Sequence, residues 1–190
     1  MEQCKINIKN MVCPRCIMAV KTVFEKLNLH YIDVELGSVK LNYALNEEQI
    51  LKLQMALEEI GFELLSDKKT QLIEQIKNEI IKIVHYQDQP EKIGHLTEHL
   101  PKMIGHNYAS LSKLFSEIEG HTIEKYLILQ KIEKAKELLL YQELNISEIA
   151  YQLNYSSSQH FSRQFKSITG LTPSEFSKNK NIGRSPINEI

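Results

Sequence analysis

The segment Leu111-Ser-Lys-Leu-Phe-Ser-Glu-Ile-Glu-Gly120 returns fifty residues later as Phe161-Ser-Arg-Gln-Phe-Lys-Ser-Ile-Thr-Gly170. The apolar positions other than Leu114, the Ser, the basic residue and the closing Gly all match. The correspondence continues upstream, with Leu96-Thr97-Glu98 against Ile146-Ser147-Glu148 and Leu100 against Ala150. Self-similarity of this kind marks one supersecondary unit used twice. In the second copy, Asn145-x-x-Glu148 and Ser156-x-x-Gln159 both have the spacing of a capping box, where a side-chain oxygen and a Glu or Gln three residues on satisfy free amides reciprocally. They predict two helix starts about eleven residues apart. Each copy thus reads as a short helix, a turn and a second helix, the spacing of a helix-turn-helix. Leu111, Leu114, Phe115 and Ile118 in one copy, and Phe161, Phe165 and Ile168 in the other, predict the buried stripe. The opposite face carries Ser, Gln, Lys and Arg.

Outward from the repeat, Ile123 to Leu140 predicts a long helix joining the two copies. Upstream, Ile73, Ile76, Ile80 and Ile83 mark another long amphipathic helix, which Gln87-Asp88-Gln89-Pro90 breaks, Pro90 being suited to open the next one. Pro101 falls within or at the end of the first copy's leading helix, where a missing amide kinks the backbone. The predicted organisation is a small domain over 1–66, a connecting helix over 67–90, an all-α domain over 91–180 and a tail over 181–190.

Residues 1–66 have a different rhythm. Cys4, Ile6 and Ile8 alternate with polar residues, as in a half-buried strand. Val20, Val23, Phe24 and Leu27 follow at helical spacing after the loop that holds Cys13 and Cys16. Ile32, Val34 and Leu36 precede a Gly37-Ser38 turn, and Val39, Leu41 and Tyr43 follow it, which predicts a hairpin. Ile50, Leu53, Leu57 and Ile60 line a second helix that Gly61 can close, and Phe62-Glu63-Leu64-Leu65 reads as a last strand. The fold class is α+β: a ferredoxin-like βαββαβ domain followed by an all-α domain with two helix-turn-helix units.

The βαββαβ order, with Met11-Val12-Cys13-Pro14-Arg15-Cys16 before the first helix and Gly61-Phe62 before the last strand, resembles the heavy-metal-associated domain family. The resemblance implies that Cys13 and Cys16 hold a soft metal ion such as copper(I). Thiolates select soft ions, and a helix start beside Arg15 is expected to lower the thiol pKa values. Zinc fits less well, since a closed zinc site needs four ligands. Pro14 and Arg15 depart from the small or polar residues usual between the cysteines. The same loop therefore also reads as part of a dimerisation or regulatory module without metal, and a thioredoxin-like redox pair is a third reading for which so short a domain lacks room. Cys4 aligns with Ile6 and Ile8 as a core thiol.

Ile146-Ser-Glu-Ile-Ala150, Tyr155-Ser-Ser-Ser-Gln-His-Phe-Ser-Arg-Gln-Phe-Lys166 and Gly170-Leu-Thr-Pro-Ser-Glu-Phe176 resemble the AraC family of transcription regulators, over roughly 92–178. Ser177 departs from the Arg common after that Phe. The resemblance implies a monomer that places two recognition helices in two adjacent major grooves of double-stranded DNA. On the first recognition helix the positions facing DNA would be Asn107 as cap, then Tyr108, Ala109, Ser112 and Lys113. On the second they would be Ser157, Ser158, Gln159, Ser162 and Arg163. Gln pairs with adenine and Arg with guanine, each bidentate. RNA polymerase and a homodimer through the N-terminal domain are the further partners to be considered.

Composition neither adds to this nor opposes it. The chain has 190 residues, 42% hydrophobic and 25% charged, with a formal net charge of −1. Global charge is silent, so a case for DNA rests on placement. From Ser156 onward, Arg163, Lys166, Lys178, Lys180 and Arg184 stand against only Glu175 and Glu189. No charged leader precedes an apolar core and no apolar run reaches the ~18 residues of a membrane span, so a cytoplasmic protein without membrane partners is expected. There is no His-Glu-x-x-His or Gly-rich phosphate loop, and no enzyme is expected. The competing class is a metal-handling, chaperone-like protein whose helical part is a docking module; the duplicated recognition-helix pattern argues against it.

Overall fold

The computed structural model describes residues 4–86, 95–178 and 185–189. It divides into two compact units, residues 1–78 and 79–190. In the first, β1 (Cys4–Lys9), α1 (Pro14–Lys26), β2 (Asp33–Glu35), β3 (Ser38–Leu41), α2 (Glu47–Glu58) and β4 (Glu63–Leu65) build a four-stranded antiparallel sheet in the order β2-β3-β1-β4. Strand β1 is central, with Ile6 opposite Val39 and Ile8 opposite Leu64. Ile8, Met11, Val20, Phe24, Val39, Leu41, Leu53 and Leu57 are buried in one cluster, and Cys4 and Ile6 pack against it. Complete burial of a side chain such as Phe24 is worth roughly 1.5–3 kcal/mol, so these residues hold the helices on the sheet.

Successive strand residues point to opposite faces, so Asn7 faces away from Ile8. There it meets α3 (Lys68–Ile81), whose Gln75 Nε2 donates to Asn7 Oδ1 at 3.5 Å. Gln71 Nε2 donates to the Leu65 carbonyl at 2.8 Å, and Glu74 Oε1 accepts the Asn10 amide at 3.2 Å. Gly37 lies under Asn78 so closely that a Cβ there would meet the amide nitrogen at 2.1 Å.

Three expectations for this unit are corrected. The hairpin turn is Leu36-Gly37, one residue earlier than Gly37-Ser38, because Glu35 pairs with Ser38 and Gly37 takes the left-handed φ of 79°. Ile50 and Ile60 are exposed, and only Leu53 and Leu57 of the α2 stripe are buried. Ile32 is exposed as well, since β2 begins after it and Val34 alone turns into the core.

The second unit takes in the end of α3, a π-helical turn (Lys82–Tyr86), α4 (Leu96–Ile104), α5 (Tyr108–Glu119), α6 (Ile123–Tyr141), α7 (Ile146–Gln152), α8 (Ser158–Thr169), α9 (Pro173–Lys178) and a short turn at Ile187–Glu189. Ile73, Ile76, Ile80 and Ile83 are all buried, but the last of them belongs to the π-helical turn. The expected break at Pro90 lies outside the described residues. Gln130 on α6 is fully buried and its amide is engaged on three sides. Its oxygen is 2.9 Å from His85 Nε2, and its nitrogen donates to the Tyr126 hydroxyl at 3.0 Å and the Ile187 carbonyl at 3.2 Å. Among the described residues, no helix is long and apolar enough to cross a membrane.

Candidate nucleic-acid interface

The offset of fifty governs helix starts as well as residues. Helices α4 and α7 begin at 96 and 146, α5 and α8 at 108 and 158, α6 and α9 at 123 and 173. Capping chemistry repeats with them. Asn107 Oδ1 accepts the Ser110 amide, and Ser157 Oγ accepts the His160 amide at 3.1 Å, which satisfies one free donor at the head of each second helix. Gly120 and Gly170 end these helices in the left-handed conformation. Asn145 and Glu148 complete a capping box on α7. Thr122 caps α6, and Thr172 is bonded to Glu175 in the same relation on α9.

Two expectations fail here. The cap of α8 is Ser157 and not Ser156: Ser157 is fully extended, and Ser156 Oγ lies instead 3.2 Å from His160 Nδ1. The two caps of the second pair are therefore twelve residues apart, and Gln159 falls one position short of the capping-box place. Ile118 is exposed, while its counterpart Ile168 packs on the core of the second pair. Pro101 lies inside α4, which nevertheless continues to Ile104 and is tied to the last turn of α3 by His99 Nε2 and Glu79 Oε1 at 2.9 Å.

Each set of sequence-predicted contact residues gathers on one helix face, because residues three and four apart are neighbours on a helix. On α8, Gln159 and Arg163 are exposed and Ser158 and Ser162 half-buried, with Ser157 exposed at the cap. Behind them Phe161, Phe165 and Phe176 are fully buried, their rings meeting edge-on at 5.7 and 5.5 Å. On α5, Ala109 and Lys113 are exposed, Tyr108 and Ser112 half-buried and the cap Asn107 exposed, over buried Leu111 and Phe115.

The charges on the two faces differ. Lys113 Nζ lies 3.9 Å from Glu117 on α5, whereas α8 carries Arg163 and Lys166 and no acidic residue. Tyr108 donates its hydroxyl to the Glu124 carboxylate in the first turn of α6. That bond holds Glu124 below the usual carboxylate range, while burial first and then Glu124 push the Tyr108 phenol up. Nothing in the single-copy pattern pointed to Glu124. Comparing it with Ser174, its counterpart in the repeat, would have. Tyr155 was missed as well: its hydroxyl donates to Gln164 Oε1 at 2.7 Å, Lys131 Nζ lies 5.2 Å from its ring centroid, and burial pushes its phenol up to about 12.

In the first unit, Cys13 is the N-cap of α1 with Pro14 in its first turn. The Cys13 and Cys16 sulfurs are 3.1 Å apart, and Cys16 Sγ points at the Asn10 carbonyl at 3.9 Å. The expectation of lowered thiol pKa values is corrected for Cys16, which is raised, by burial first and by its bond with Cys13 next. Among the described residues, no group of three or more His, Cys, Asp or Glu side chains could hold a metal ion.

A family model described as a helix-turn-helix domain matches residues 100–179. The "Xylose operon regulatory protein" of Escherichia coli (strain K12) is 32% identical over 97 residues, 51% of this chain and 25% of that protein. The "Transposon Tn10 TetD protein" of Escherichia coli is 30% identical over 105 residues, 55% of this chain and 73% of that protein. The C-terminal domain of AraT, a response regulator from Geobacillus stearothermophilus, superposes with a TM-score of 0.51 at 23% identity, over 63% of this chain and 94% of that domain; it speaks for the fold. The chain spans about a quarter of the length of the xylose operon regulator it matches. The helical unit thus contains a helix-turn-helix domain. The chain belongs to the AraC family.

Proposed function

We propose that the chain binds double-stranded DNA with both helix pairs, α5 and α8 lying in two adjacent major grooves and α6 joining them, and that it regulates transcription in the cytoplasm. The observation that carries this reading is the constant offset of fifty in helix starts and in the caps at Asn107/Ser157 and Thr122/Thr172. A recognition helix reads base edges from its N-terminal turns. The readers are then Gln159 and Arg163 on α8 and Tyr108, Ala109, Ser112 and Lys113 on α5, with Ser157, Ser158, Ser162 and Asn107 at the phosphates. Footprinting on a duplex selected from a random pool tests it. Two protected patches on one face, about 34 Å or one helical turn apart, are expected. One short patch would leave a single pair as the DNA-binding element.

A second reading concerns 1–66 as a ferredoxin-like, heavy-metal-associated domain, and is favoured by the convergence of the Cys13 and Cys16 sulfurs at 3.1 Å. Two half-buried thiols, with no third His, Cys, Asp or Glu donor grouped with them among the described residues, suit a soft ion of low coordination number, and the resident thiol protons must leave when it binds. The ion would supply an effector signal, shifting DNA affinity by as much as its own affinity differs between free and DNA-bound protein, typically ~1–3 kcal/mol. Copper(I) titration under reducing conditions, with the Cys13→Ser/Cys16→Ser double variant as control, tests it. Equal uptake by both proteins removes the site. Uptake by the wild type with unchanged DNA affinity leaves a metal-free signal, a homodimer contact or RNA polymerase as the route of regulation.

A further inference from the structure

The two helix pairs share their frame but differ at one juncture. Helix α5 begins with Tyr108, which donates to Glu124, the second residue of α6, whereas the residues fifty further on are Ser158, the first of α8, and Ser174, the second of α9. We infer that Glu124 is a specificity-determining residue for DNA: it fixes Tyr108 at the reading end of α5, and its charge keeps phosphate attraction at the first pair low. This rests on the reading that both pairs meet DNA.

Tyr108 donates its hydroxyl to Glu124, so that donor is committed and Tyr108 can meet a base by its apolar edge or as an acceptor, but not as a donor. Glu124 is exposed, and the bond from Tyr108 keeps it ionised at neutral pH. Helix α5 itself adds Glu117 and Glu119 against Lys113, which already lies 3.9 Å from Glu117. Helix α8 has Ser167 and Thr169 at the positions matching those two acids, and Arg163 and Lys166 besides. Counterion release makes cation–phosphate contacts the sequence-independent part of binding. Of the two recognition helices, α8 carries the larger share of that part, although its Lys166 also feels Glu175 of α9. The first pair, opposed by its own carboxylates, settles only where base and shape contacts compensate, and selectivity built on such repulsion costs affinity for every wrong site.

The test uses the full chain, the duplex it selects from a random pool, and a scrambled duplex of the same composition, with affinities followed by fluorescence anisotropy between ~50 and ~200 mM salt. Glu124→Gln keeps an acceptor for Tyr108 and removes the charge. It is expected to bind the scrambled duplex about threefold or more tightly at low salt, with a smaller gain on the selected duplex, so the specificity ratio falls and the gain fades as salt screens the charge. Glu124→Ala also removes the acceptor and is expected to weaken base preference within the half-site under α5 while sparing the one under α8. An unchanged ratio in Glu124→Gln, or equal base preference in Glu124→Ala and wild type, overturns the inference even where both footprints persist. A wild type that binds no duplex overturns it together with the reading it rests on.

Discussion

Helices α5 and α8 occupy the same place in two copies of one pattern. Both are twelve residues long, both are capped by a short polar side chain and both end on a left-handed glycine. Their fully buried residues correspond, Leu111 and Phe115 against Phe161 and Phe165, and only the last apolar pair differs, Ile118 being exposed where Ile168 packs on a core. Their outer faces do not correspond. One presents Lys113 next to Glu117 and a tyrosine bound to Glu124; the other presents Gln159, Arg163 and Lys166 with no acid in the helix. Duplication has therefore preserved what makes the helices fold and released what they show to a ligand. Core positions answer to packing, which is the same in both copies, whereas exposed positions answer only to what binds them.

The equality of the buried faces is the easiest part to break. Phe165 is fully buried between Phe161 and Phe176, and Phe165→Ala is expected to cost ~3–5 kcal/mol in chemical denaturation of the helical unit, through lost transfer energy and the cavity left behind. Phe115→Ala should cost a similar amount, since Phe115 is as buried and meets His121 and Tyr126 at 5.7 Å. A cost below about 1 kcal/mol for either would show that the repeat in sequence is not a repeat in packing.

The inequality of the outer faces predicts smaller numbers. Arg163→Ala should weaken binding to the selected duplex by ~1–3 kcal/mol and relax preference at one base pair. Lys113→Ala should cost less than about 1 kcal/mol, because that ammonium already shares its surroundings with the Glu117 carboxylate. Equal losses would mean that the charge difference between α5 and α8 has no bearing on DNA. Smaller again, Asn107→Ala and Ser157→Ala should each lower stability by about 1 kcal/mol, the usual worth of an N-cap. If Ser156→Ala does so and Ser157→Ala does not, the assignment of the α8 cap is wrong.

Much of this was legible beforehand because it is local. The linking helix was expected over 123–140 and is found over Ile123–Tyr141, and Asn107 and Asn145 cap the helices they were expected to cap. Periodicity told which residues share a face but not how far the neighbouring element reaches, and so Ile50, Ile60 and Ile118 were assigned to cores that do not cover them. The hairpin slipped by one residue because Gly-Ser and Leu-Gly are both acceptable turns, and only the pairing of Glu35 with Ser38 decides between them. Tyr108 and Glu124 are sixteen residues apart on different helices, so their bond depends on how two helices approach. The π-helical turn at Lys82–Tyr86 had no local signal in composition or spacing.

The buried amide of Gln130 has a consequence in time. Its two protons are held by the Tyr126 hydroxyl and the Ile187 carbonyl, while its oxygen faces His85. A side-chain amide in such a setting trades hydrogen for deuterium only when its surroundings open. The Gln130 side-chain resonance is therefore a clock built into the linking helix. Its exchange rate counts how often the π-helical turn and the Ile187 segment let go of α6 while the rest of the unit stays folded.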